Sequence, residues 1–155
     1  MRFVVEIGKE WLWDDVPPRT IELDGAVAGP RIDPDGQRYS FDHHARCVRL
    51  ATGAACRQVL DALLLGLDPR GFTVLLNDVD ADSALAAWLL ARRDAALAPG
   101  ALPRTRAVVA AVGEADAHGP AYPLERPGLF FGCLDALGPA LAARAAGYPN
   151  GGDAA

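Results

Sequence analysis

The chain has 155 residues, 51% hydrophobic and 23% charged, a globular mix that excludes a disordered or fibrous protein. At this length folding buries roughly 70% of the unfolded surface, enough for one sound core, and one domain over residues 1–146 with a flexible tail at 147–155 is expected. The net charge of −5 argues against a basic nucleic-acid clamp, although an Arg-lined groove for an anionic substrate stays open; Lys9 is the sole lysine among 15 cationic residues. Cys47, Cys56 and Cys133 form no Cys-x-x-Cys pair and no disulfide framework. Residues 1–6 meet a carboxylate too early for a signal peptide, and no apolar run approaches the ~20 residues that cross a bilayer. A cytoplasmic address with no membrane contact is the expectation.

Residues 3–8 read as a strand, followed by Trp11 and Trp13 and the Pro17-Pro18 stop. Period-2 patterns predict strands at 20–24 and 38–41, separated by the turn chemistry of Gly29-Pro30 and Asp33-Pro34-Asp35-Gly36. Cys56, Val59, Leu60, Leu63, Leu64 and Leu67 recur at helical spacing, with Thr52 as the expected N-cap. A continuous apolar run at 72–76 suits a strand covered on both faces. Ser83 then opens a helix to about residue 98, with Leu85, Trp88 and Leu89 on its stripe. A linker at 99–103 precedes a helix from 104 to 112 that stops near Gly113, and 134–146 is helical with a break at Gly138-Pro139. The loop at 119–128 is a lid or a long connection. Strands alternating with helices predict an α/β domain, a mainly parallel sheet flanked by helices.

Two constellations carry chemistry. Asp78, Asp80 and Asp82 follow a buried strand at spacing two; in extended chain they converge on one side, where their repulsion calls for protons or a cation. Hard oxygen donors suit Mg²⁺ or Mn²⁺, and strand carboxyl ends are where open α/β sheets bind ligands. A solvated turn with Asp82 or Ser83 as N-cap is the plainer alternative. Asp42-His43-His44 places two of the three histidines beside a carboxylate after another strand, a metal-ligating pattern or a surface turn. His118 closes a third acidic segment containing Glu114 and Asp116. Cys47 and Cys56 with the twin histidines match no standard zinc spacing, and the three tryptophans read as packing rather than base-stacking platforms.

Asp42-His43-His44 is the triplet that names the DHH phosphoesterase superfamily, and Asp78-Val79-Asp80-Ala81-Asp82-Ser83 resembles that superfamily's first motif. Here the triplet precedes the aspartate run, whereas in the family it follows. With Asp24 for the lone strand-end aspartate and Asp116 for the fourth motif, the order resembles a permuted catalytic domain without the C-terminal substrate-binding domain. The resemblance implies two Mn²⁺ (or Mg²⁺) ions held by Asp24, Asp42, His43, Asp78, Asp80, Asp82 and Asp116, with Asp24 bridging. It implies catalytic roles for Asp42, His43 and His44. His44, Arg46 and the N-terminal Ser83 would meet the substrate phosphate, with Arg49 a further clamp or simply solvated.

The expected function is therefore a metal-dependent phosphoesterase that cleaves a phosphodiester or phosphoanhydride bond by two-metal catalysis. Its substrate would be a small phosphorylated molecule or short oligonucleotide, with a homodimer or partner chain completing the site. A non-catalytic nucleotide- or phosphate-binding module that keeps the site is the second reading, and a structural domain whose carboxylates are only caps and turns is the third.

Overall fold

The computed structural model describes residues 1–119 and 126–136. Strands β1 (Arg2–Val5), β2 (Thr20–Leu23), β3 (Arg31–Asp33), β4 (Arg38–Phe41) and β5 (Thr73–Leu76) form one sheet in the order β1-β5-β2-β4-β3. Pairings β1–β5, β5–β2 and β2–β4 are parallel, and only β3–β4 is antiparallel. Helices α1 (Ala55–Leu64), α2 (Ala81–Ala91), α3 (Arg93–Leu97) and α4 (Leu102–His118) follow, and residues 127–136 are also helical. The expected mainly parallel α/β sheet is present.

Alternation along the strands decides what each face covers. Ile21, Leu23, Phe41, Val74 and Leu76 share one buried cluster with Val59 and Leu63 of α1, Leu89 of α2, Ala96 of α3 and Val109 of α4. Thr20, Glu22 and Ser40 point the other way and are buried there too. Loops cover that second face: Ser40 Oγ donates to the carbonyls of Val27 and Gly29, and Arg38 donates to those of Trp13 and Val16. Helices on both faces were expected; among the described residues they pack on one. Burial on the loop side pushes the Glu22 carboxyl up to about 8, against the opposing pull of Arg38, and so favours its neutral form.

Several predicted boundaries move for identifiable reasons. Strand β3 lies in what reads as pure turn chemistry, because the 33–36 turn closes a short hairpin whose register sets Asp33 against Arg38. Asp33 also takes the Gly36 N–H and an ion pair from Arg38. The helix predicted from Ser83 to residue 98 breaks at Arg92 into α2 and α3. Trp88 is exposed, and the buried stripe of α2 is Ala86, Leu89 and Leu90. This helix is apolar nearly all round, so its spacing does not identify the inner face. Helix α4 runs through Gly113 instead of stopping there. A Cβ at Gly113 would lie 3.5 Å from Ala54 Cβ and 3.8 Å from Cys56 Sγ, so this glycine marks close helix packing, not a helix end. The expected break at Gly138-Pro139 and the tail at 147–155 lie outside the described residues, as does most of the 119–128 loop.

Candidate metal centre

Because β2, β4 and β5 are parallel, their carboxyl ends reach one edge of the sheet. In register, Leu23 pairs with both Phe41 and Leu76, so Asp24, Asp42 and Asn77 leave the sheet side by side. The Asp24 N–H still donates to the Phe41 carbonyl, and its φ of 53° turns the chain sharply into Gly25. Asn77 Nδ2 donates to the Gly25 carbonyl at 2.9 Å, tying the β5 end to the β2 turn.

His43 is fully buried at the centre. Its Nε2 lies 2.8 Å from Asp116 Oδ2, 3.3 Å from Asp24 Oδ1 and 3.8 Å from Asp82 Oδ2. Asp24 Oδ1 is also 3.3 Å from His44 Nδ1, so this one oxygen sits between two imidazoles. The result is two overlapping triads that share His43: Asp24–His43–His44 and His43–Asp82–Asp116. In each, the ligand atoms lie within 4.8 Å of one another.

These contacts are ion pairs whose alignment falls short of well-formed hydrogen bonds. His43 Nε2, Asp24 Oδ1 and Asp116 Oδ2 are buried and none has a hydrogen-bond partner. Buried polar atoms are nearly always paired, and each triad gathers such under-satisfied atoms around His43, where a cation would satisfy them. The donor set of imidazole nitrogen and carboxylate oxygen fits a divalent metal. Charge argues the same way. Burial and the neighbouring Asp24 raise both Asp80 and Asp82, the latter to about 7 even though α1 N–H groups favour its ionised form. Burial works against a charge on His43, yet Asp116 and Asp24 outweigh it and lift its pKa to about 10. The carboxylates thus favour a positive charge at His43, whether carried by a proton or by a metal ion.

The loop around the site is built by other atoms of the same motifs. Asp42 Oδ2 accepts from the N–H of Gly29 at 2.7 Å and of Ala45 at 3.3 Å, while Oδ1 accepts from the N–H of His44 at 2.8 Å. Asp42 Oδ1 also lies 3.1 Å from His44 Nδ1. Burial alone would raise the Asp42 carboxyl, but these bonds hold it far below the usual range. Gln58 Nε2 on α1 donates to the carbonyls of Asp42 and Gly53, fixing the triplet against the helix. In the sequence Gln58 is one polar residue beside Arg57 and Asp61 on α1, which is too weak a signal to single it out.

The three aspartates of the acidic run do not converge. The chain turns helical at Ala81, which sends each carboxylate in its own direction. Asp78 Oδ1 accepts from the Val79 N–H. Asp80 caps α2, accepting from the Ser83 N–H while Ser83 Oγ accepts from the Asp80 N–H. That N–H of Ser83 is therefore engaged within the helix turn. Asp82 crosses to α1, where Oδ2 accepts from the Ala55 N–H at 2.6 Å and Oδ1 from the Cys56 N–H at 2.7 Å. Thr52 is not the N-cap of α1; Ala54 holds that position without a side-chain bond, and Asp82 supplies the missing acceptor from 26 residues away.

Asp24, His43, His44, Asp82 and Asp116 thus meet, with Asp42 directly behind His44, while Asp78 and Asp80 lie outside both triads. Asp116 arrives because α4 continues one turn beyond Gly113. Arg46 and Arg49 are exposed; Arg49 lines a cavity of about 390 Å³ with Arg57, Glu114 and His118, outside the triads. The site has a closed side, where His43 and Asp82 are fully buried, and an open side, where the side chains of Asp116 and His44 are 24% and 46% exposed.

The fold and cluster define an α/β domain with a mostly parallel sheet and a buried Asp/His group able to hold a metal ion. Compared with protein-family models, curated proteins and solved structures, the chain matches none.

Proposed function

We propose that this chain is a metal-dependent phosphohydrolase acting on a phosphodiester or phosphoanhydride bond. The observation that carries the reading is the pair of triads that share buried His43, Asp24–His43–His44 and His43–Asp82–Asp116, at the carboxyl ends of parallel strands and the end of α4. Asp24, His43, Asp82 and Asp116 would hold one or two Mn²⁺ or Mg²⁺ ions, leaving His44 at the rim for substrate. Bound there, such ions supply Lewis-acid stabilisation of phosphoryl oxygens and make water acidic enough to attack phosphorus.

The chain's own groups set the rest. His44 stands half exposed over the site, with Nδ1 oriented by Asp42, and its ring can donate to a phosphate oxygen arriving from solvent. Asp42 fixes that ring and the loop backbone rather than reaching substrate, because three backbone N–H groups already engage its two oxygens. Buried His43 is positioned as a ligand.

The test is hydrolysis of bis(p-nitrophenyl) phosphate and of pyrophosphate with Mn²⁺. Turnover with at least one of them, lost by about 100-fold or more in His44→Ala, is expected for a group acting on the transition state. Mn²⁺ binding without turnover on either substrate class contradicts the hydrolase reading and favours a phosphate-binding module.

A further inference from the structure

Strand β1 ends the sheet: it pairs with β5 on one side and with no described strand on the other. Bonds from the N–H groups of Arg2, Glu6 and Gly8 to the carbonyls of Phe72, Leu76 and Asn77 turn the even-numbered backbone groups inward. The N–H and carbonyl groups of Phe3 and Val5 therefore face the open edge. Phe3 and Val5, in register with Val74 and Leu76, lie on the helix side of this strand, and Met1 and Ile7 flank its ends, all four 40–49% exposed. Arg2 and Glu6 are exposed on the opposite side, flanking Val4. Natural edge strands are usually blunted by like charges, proline or a bulge. This one carries opposite charges placed symmetrically about Val4.

We propose that β1 is a dimer interface, pairing antiparallel with β1 of a second copy about a two-fold axis at Val4. This register sets Phe3 against Val5 as the hydrogen-bonded pair, through the backbone groups that face outward. It sets Val4 against Val4, and Arg2 against Glu6 twice. Sliding the strands to either neighbouring register that keeps the outward groups bonded puts Arg2 or Glu6 opposite Val4 instead, so charge complementarity selects the centred one. Glu6 already pairs with Lys9 of its own chain at 2.6 Å, and in the dimer it faces Arg2 as well. Phe3 and Val5 meet their copies on the helix side, with the exposed Met1 and Ile7 at the ends of the strand pair, and the two sheets become one of ten strands. A single strand pair with one apolar row is a small interface, so a concentration-dependent dimer is expected.

Sedimentation velocity on the intact chain from about 1 to 200 μM tests this, a range that spans micromolar association. Wild type is expected to shift from monomer to dimer. Arg2→Glu and Glu6→Arg each place like charges across the axis twice and should weaken the dimer about tenfold or more, while the double variant regains it. Val5→Pro removes an outward N–H without touching the β5 ladder, and should be monomeric with a nearly unchanged melting temperature. A wild type that stays monomeric throughout overturns the proposal. So does a dimer indifferent to the single reversals, or one that the double variant fails to restore.

Discussion

His43→Ala is expected to weaken Mn²⁺ binding by about 100-fold or more, because Nε2 is the atom common to both triads. His118→Ala, outside the triads, should leave binding unchanged. The pH dependence follows from the direction of the shift. His43 is raised to about 10, so without metal it holds its second proton at pH 7, and an ion must displace that proton. Apparent affinity should therefore rise about tenfold per pH unit through neutrality and level off near pH 10. Asp82, pushed up to about 7, adds to the slope below neutrality. Isothermal titration in buffers of different ionisation enthalpy reads the proton released. Wild type releases at least one, and His43→Ala loses that release together with its affinity. Equal affinities in the two proteins would contradict a His43-centred site.

The largest effect on stability is expected from Asp82→Ala. This carboxylate crosses from α2 to accept the first two N–H groups of α1, and the Ala54 methyl offers no acceptor to replace it. Removing it leaves two buried donors unpaired, a loss of about 3 kcal/mol. For a domain of this size the melting temperature should drop by roughly 10 °C. Asp82→Asn keeps one acceptor and should lose about half as much. Both measurements are made by thermal unfolding in EDTA, which separates anchoring of α1 from metal binding. A melting temperature unmoved by the alanine change would show that α1 does not depend on this bridge.

Much of the fold was legible in the chain because parallel strands announce themselves by apolar alternation or continuous apolar runs. Residues 20–24, 38–41 and 72–76 read as strands, and their observed ends are what bring Asp24, Asp42 and Asn77 to one edge. The approach of Asp24 and Asp116 to the same His43 is a different matter. No local spacing encodes it; it depends on β2 lying between β4 and β5 and on α4 passing Gly113.

The acidic run shows why spacing alone misleads. Period-2 convergence assumes extended backbone, but the capping box of Asp80 and Ser83 starts a helix at Ala81 and redirects each carboxylate. Trp88 fails for a related reason: on a helix apolar all round, side-chain size does not tell inside from outside. Glu22 looked like the polar half of an alternating strand, and only the loops folded over the second face bury it.

The most direct test is a crystal grown with Mn²⁺ and measured at the manganese absorption edge. An anomalous peak within about 2.3 Å of His43 Nε2 and of an oxygen from Asp24 or Asp116 is the predicted result. An ordered crystal with no peak between β2, β4 and α4, or with Mn²⁺ only at surface carboxylates, would contradict the proposed centre.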